Sequence, residues 1–487
     1  MSGIYILLTI FIYFGLLLLI SRITSRHTTN NDAFFRGNRQ SPWYIVSFGM
    51  IGASLSGVTF VSVPGMVGSI DMTYMQTVFG FSVGYLVIAH ILLPLYYKLN
   101  LTSIYTYLGD RIGKHSYKTG ASFFLLSKMI GAAARLYLVC LILQNFVFGP
   151  IHIPFFLTVI GIVLLIWLYT RRSGIRTIVW TDSLQTFCLI AALGLILYEV
   201  CTKMNLDFSG WMQTIQSNEH SRIFVFDDWQ SKQNFFKQFF SGIFITIVMT
   251  GLDQDMMQKN LTCRNLKDAQ KNMYCYGISF IPVNYLFLTL GILLLLLAPQ
   301  MGLSIPKAGD EILPMFAAEG HLGFPVLICF TIGIIAAAFS SADSALTALT
   351  TSFCVDILNV GKLSEEKAER KRKQVHFGVS VIFILFILLF KAVNDKSVID
   401  AIYTIASYTY GPLLGLFIFG LFTKMAPRDR LVPYVAVASP FICYAVDYFT
   451  FRYTGYKFGY EILMFNGLLT FIGLSLLSIH KKKQIWK

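Results

Sequence analysis

Charge is what this chain lacks most. Only 13% of its 487 residues are Asp, Glu, Lys or Arg, about half the usual share in soluble proteins. So few solvating groups exclude the set of water-soluble domains that the length alone would suggest. Cysteine is sparse as well. The eight cysteines, at 140, 188, 201, 263, 275, 329, 354 and 443, form no C-x-x-C pair, which excludes a disulfide framework and a cysteine zinc site. They read as buried, inert thiols. No P-loop, H-E-x-x-H or G-x-S-x-G occurs, so an ATP-driven pump and the common hydrolase classes have no support. The segment Gly109 to His115 comes closest to a phosphate loop, but it is one spacer short and lacks the Ser or Thr that would hold magnesium. It reads as an ordinary basic loop. With no nucleophile, metal-ligand set or nucleotide motif, a membrane-embedded enzyme is excluded too.

What the chain does have is apolar length. Hydrophobic residues make up 55%, and the 43 phenylalanines outnumber the 39 Lys and Arg together. Mean hydropathy is +0.63. Thirteen apolar runs read as transmembrane helices, at about 3–21, 44–70, 75–97, 119–147, 153–170, 177–201, 236–257, 272–298, 324–356, 375–392, 399–422, 431–449 and 459–479. The first is no cleavable signal, since no basic residue precedes it and Arg22 and Arg26 follow. The intervening loops alternate in Lys and Arg: 28 on one side, including four in 259–271, against eight on the other. The basic side is cytoplasmic, which predicts the N-terminus outside, the C-terminus inside, and a plasma (inner) membrane protein. The net charge of +14 is spread over these loops, so no nucleic-acid partner is expected. The bilayer is the expected surrounding, and no obligatory protein partner is evident.

Two spans are unlike lipid-facing helices. The second carries Gly49, Gly52, Ser54, Ser56, Gly57, Thr59, Ser62, Pro64, Gly65 and Gly68. A helix broken near 53–57 would free carbonyls, and such backbone is tolerated only beside protein or a cavity. Freed mid-membrane carbonyls are cation ligands; the other reading is a packing seam of small residues. In the ninth span Ser340, Asp343 and Ser344 share one face at i, i+3, i+4, with Ser341 adjacent and three alanines before them. A carboxylate amid an apolar span is costly unless paired. A sodium ion, a proton or Arg135 could each serve Asp343. Asp182 in the sixth span is a second embedded carboxylate, or one solvated near the span end. Lys128 and Arg135, in the fourth span, could snorkel, balance Asp343 or hold an anionic substrate.

With these residues the chain resembles the sodium/solute symporter family, which contains sodium–galactose, sodium–proline and sodium–sialic acid carriers. The resemblance runs through Phe34-Phe35-Arg36-Gly37, Ser54 to Phe60 with Pro64-Gly65, Trp180 to Gln185, Asp253 to Lys259, Ser340-Ser341 and Gly411 to Phe417. It implies an all-α membrane protein with a leucine-transporter-like core of two inverted five-helix repeats containing discontinuous helices. These would span 44–201 and 236–422 within one transporter domain, 1–487, with an extra span at 1–21 and two more at 431–479. It implies sodium as the coupling ion, one or two per cycle. One site would be formed by carbonyls of Gly52, Leu55 and Ala337 with Ser340 and Ser341. A second, as in sialic acid carriers, maps onto Asp182, Ser340, Asp343 and Ser344, with Asp343 replacing a serine of those relatives. Substrate would meet Ser54, Ser56, Thr59 and Asp253. Arg135 lies about one turn from the arginine by which sialic acid carriers hold a carboxylate. The implied activity is sodium-coupled import, by alternating access, of a small organic solute: a sugar, sialic acid, polyol, amino acid or other organic anion. Proton coupling in the same fold is the alternative; a channel-like or non-transporting membrane protein is a lesser one. A signalling sensor is not expected, as only eight residues follow the last span.

Overall fold

The computed structural model describes residues 2–25, 37–170, 175–393 and 398–481. Helix dominates, as apolar segments with no water to bond their backbone require. In chain order the principal helices are α1 (Ser2–Ser25), α2 (Trp43–Ser54), α3 (Gly57–Ile70), α4 (Tyr74–Lys98), α5 (Lys114–Leu143), α6 (Phe155–Thr170), α7 (Ile175–Lys203) and α8 (Phe235–Gly251). They continue with α9 (Gln254–Asn260), α10 (Leu266–Gln300), α11 (Phe324–Ile357), α12 (Glu365–Val393), α13 (Val398–Thr409), α14 (Gly411–Phe422), α15 (Val432–Thr454) and α16 (Ile462–Leu476). A two-stranded antiparallel ribbon, β1 (Met425–Pro427) with β2 (Ser478–Lys481), closes the chain.

Three expected spans are bent pairs. Helices α2 and α3 meet at 56°, α8 and α9 at 70°, and the region of α13 and α14 at 44°. Only the first break was anticipated. Among the described residues seven helices are long and apolar enough to cross a bilayer, or ten if each bent pair is one span, so the expected count of thirteen is not confirmed. The runs at 3–21, 153–170 and 459–479 are represented by the shorter apolar helices Leu8–Ile20, Phe155–Thr170 and Ile462–Leu476. Sixteen residues in α6 rise only about 24 Å, less than a hydrocarbon core of about 30 Å.

The loop-like segment near Gly109 is a helix junction. The Asp429 carboxylate accepts from the backbone N–H groups of His115 and Ser116, 2.8 Å each, capping the start of α5. All eight cysteines are free; burial pushes the Cys263 thiol up to about 12, which keeps it inert.

Helix α7 packs against α2 and α11, while α4 packs against α8. Close approach between α2 and α7 depends on glycine. A Cβ at Gly52 would fall 1.9 Å from the Thr186 hydroxyl. A Cβ at Gly65 would fall 2.1 Å from the Gly309 carbonyl, which seats the loop before the helix Ile312–Ala318 against α3. These contacts bring the first break against α7 and α11.

Candidate functional site

At the first break the helical ladder stops where Leu55 N–H reaches the Ile51 carbonyl, 2.8 Å, and resumes where Phe60 N–H reaches Ser56, 3.1 Å. Leu55 and Ser56 are turned out of helical geometry, with ψ of 71° and 169°. The carbonyls of residues 52–55 thus lose their ladder partners, and among the described residues no other donor replaces them. The second break is different. There the Tyr96 hydroxyl donates to the Gly251 carbonyl, 2.8 Å, and the Tyr105 hydroxyl to Leu252, 2.9 Å. Equivalent backbone is satisfied at one break and left open at the other. Only the open one is suited to a cation.

Helix α11, which carries Ala337, Ser340 and Ser341, packs against both halves of the broken helix, α2 and α3. Gly52, Leu55, Ala337, Ser340 and Ser341 are all buried. The Ser340 hydroxyl donates to Asp182 Oδ1, 2.7 Å; spending its proton there leaves the oxygen's lone pairs for another partner. Ser341 Oγ has no hydrogen-bond partner and faces a cavity. Asp343 accepts from the Tyr169 hydroxyl, 2.8 Å, and from the Ser344 N–H. No ammonium or guanidinium lies within ion-pair distance of it among the described residues, so neither Arg135 nor Lys128 is its counter-ion. Among the described residues the hydroxyls of Ser344 and Thr347 are buried without hydrogen-bond partners.

The cavity encloses about 850 Å³ with its mouth included. Ser54, Lys128, Arg135, Asp253, Asp255 and Ser341 supply its polar wall, and Phe81, Phe280, Tyr403 and Tyr410 part of its aromatic one. Ser56 and Thr59, expected beside substrate, are buried in the turn after the break and are not among the lining residues. Ser54 hydrogen-bonds the Tyr276 hydroxyl. Arg135 is half-buried and has no ion-pair partner among the described residues.

Three charged residues have ion-pair partners that the sequence did not show. Lys128 Nζ stands 3.1 Å from Asp253 and 2.8 Å from Asp255. Lys259, counted as a loop residue, is 1% exposed within α9, 2.8 Å from Asp182 and 3.7 Å from Asp255. Asp253 also caps α9, accepting from the N–H groups of Asp255 and Met256, and receives the Tyr410 hydroxyl at 2.9 Å. Tyr169, Tyr410 and Asp255 were not anticipated. The i, i+4 spacing of Asp255 and Lys259 on a short polar helix could have marked that pair, whereas no local pattern marks the two tyrosines.

A helical bundle in which interrupted helices flank a cavity lined by charged and aromatic side chains is the architecture of a secondary transporter. The chain belongs to the sodium:solute symporter family, whose model matches residues 34–429. It is 26% identical over 448 residues to the sodium/sialic acid symporter of Proteus mirabilis, covering 88% of this chain and 87% of that protein. It is 25% identical to the sodium/sialic acid symporter of Aliivibrio fischeri, over 86% and 83%. A solved Na+-coupled sialic acid symporter, in a substrate-bound outward-open state described as revealing a novel Na+ site, superposes with a TM-score of 0.85 at 22% identity over the whole of both chains. A nucleobase-cation-symport-1 family transporter, closed with bromovinylhydantoin bound, matches at 0.57 and 14% identity over 90% and 92%. The fold is therefore the all-helical, leucine-transporter-like one. The protein is a multi-pass membrane symporter of a small organic solute, coupled to sodium, and is not an enzyme.

Proposed function

We propose that this symporter imports a carboxylate-bearing solute of the sialic acid class by alternating access across the plasma (inner) membrane, with its N-terminus outside and its C-terminus cytoplasmic. The observation that carries this is Arg135, a guanidinium on the cavity wall without a carboxylate partner among the described residues. The other cavity ammonium, Lys128, is already held by Asp253 and Asp255. An arginine fork matches a carboxylate with two parallel bonds. Sodium binds at the open break, on the carbonyls of Gly52, Leu55 and Ala337 and the hydroxyls of Ser340 and Ser341. A second cation belongs to Asp343 and Ser344. The two five-helix repeats run over 44–201 and 236–422, with the remaining spans outside them.

The test is uptake into proteoliposomes under an inward sodium gradient, with sialic acid, a monocarboxylate, neutral hexoses and amino acids as probes. Accumulation of a carboxylate sugar that needs sodium, and that weakens at least tenfold in Arg135→Ala, is expected. Losing one partner of a buried charge pair costs about 2–5 kcal/mol of binding. Accumulation of neutral sugars alone would refute the proposed solute class.

A further inference from the structure

The expected second cation set included Asp182, yet that carboxylate already has a cation. Its Oδ1 accepts from Ser340, and its Oδ2 lies 2.8 Å from the ammonium of Lys259. We infer that Lys259 is a built-in counter-ion that takes the place of a free sodium at Asp182, and so sets how many ions this symporter binds. It is a positioning residue, acting through Asp182, and the inference rests on sodium-coupled symport as the activity.

Three observations support it. Geometry comes first. Helix α9 has seven residues and starts at the second break, so its charged side chains project into the bundle instead of toward water. Lys259 reaches both Asp182 of α7 and Asp255 of its own helix. Charge balance is the second. Lys128 and Lys259 are ion-paired with Asp182, Asp253 and Asp255, and Arg135 on the same cavity wall, with no ion pair of its own, brings the count to three positive against three negative before solute binds. This group is neutral without any free ion. Asp343 has no ammonium or guanidinium within ion-pair distance among the described residues, which makes it the place for a second mobile cation. Competition is the third. A tethered ammonium has an effective concentration in the millimolar range or above and has met its desolvation cost in folding. A sodium ion entering beside it would add charge to a neutral cluster, in surroundings where charges interact strongly.

The bland account, that Lys259 and Asp182 merely brace α9 against α7, makes a different prediction about ion number. The experiment counts sodium bound per purified protein in lipid, by scintillation proximity with radioactive sodium in alkaline buffer. Lys259→Gln leaves Asp182 uncompensated and should bind one more sodium than the wild type, whereas Lys259→Arg should match the wild type. The double variant Asp182→Asn/Lys259→Gln removes both charges and keeps an acceptor for Ser340; it too should show the wild-type number. An unchanged number in Lys259→Gln would overturn the inference. So would loss of one sodium in the double variant, which would show that Asp182 holds a free ion. If Lys259→Gln fails to fold, Lys259→Met makes the same single-charge test, with one more sodium expected and an unchanged number overturning the inference. A wild type that binds no sodium would instead refute sodium coupling, a distinguishable failure.

Discussion

At the scale of single residues, oxygen atoms with and without partners divide the site. Ser340 spends its proton on Asp182, and Ser341 has none of its valences used. Ser340→Ala and Ser341→Ala should each raise the sodium concentration for half-maximal uptake several-fold while surface expression holds. Unchanged sodium dependence in the double variant would mean that the hydroxyls only pack. Asp343 is met by a tyrosine hydroxyl and a backbone N–H, and no ammonium or guanidinium lies within ion-pair distance of it among the described residues. Asp343→Asn should therefore lower the charge moved per solute by one, read from the reversal potential of uptake in proteoliposomes. An unaltered ratio would leave Asp343 a purely structural acid. These serines and acids were legible because several oxygen-bearing residues at i, i+3, i+4 in an alanine-rich span have few bland uses. Lys259 was not. A lysine at the edge of an apolar run looks like one more loop charge, and only the fold shows that the run turns by 70° just before it.

At the scale of elements, two breaks of similar form are finished differently. Tyr96 and Tyr105 close the carbonyls after α8, and nothing among the described residues closes those at the end of α2. Tyr96→Phe strips a buried acceptor of its donor and should cost about 1–3 kcal/mol of stability, measured by thermal unfolding in lipid, with sodium affinity little altered. Gly52→Ala acts at the other break. Its methyl group would overlap Thr186, forcing α2 from α7 and shifting the carbonyls. Sodium-driven uptake should fall by more than tenfold, and Thr186→Ala in the same chain should restore part of it. No restoration would place the fault elsewhere than in this contact. The α2–α3 break was readable from its run of small residues, and the α8–α9 break was not. Its backbone is loosened at Gly251 alone and is held by tyrosines distant in sequence. The bend before α14 had a local signal, Gly411 followed by Pro412 at the helix start, but the surrounding apolar run of 399–422 masked it. The staple at that bend is Asn466 of α16, whose amide donates to the Ser407 and Tyr408 carbonyls at 3.1 and 2.8 Å. No pattern within 399–422 could reveal that.

At the scale of the whole molecule, loop charge and apolar length outlined a polytopic bundle, and among the described residues several of the expected crossings are bent pairs or shorter helices. Runs of suitable hydropathy such as α6 are short helices here. Periodicity reports that a segment avoids water, not how far it reaches. The ion-paired half-helix α9 has a consequence for how such a chain is made. With Asp253 before it and Asp255 and Lys259 within it, this segment would partition poorly into lipid by itself, each charge costing about 2.5–3.5 kcal/mol at mid-bilayer. Its partners, Lys128 in α5 and Asp182 in α7, lie earlier in the chain. A ribosome therefore delivers the complementary charges first, and α9 enters the membrane as the last piece of a prepared socket. Lys128→Ala should then reduce the yield of correctly inserted protein, with nascent chains stalled beyond α10 leaving α9 accessible to water-borne thiol reagents through a cysteine placed at Gln258. In the unaltered chain the same cysteine should be shielded as soon as α9 has emerged, making insertion order, as well as the finished fold, a product of where these few charges fall.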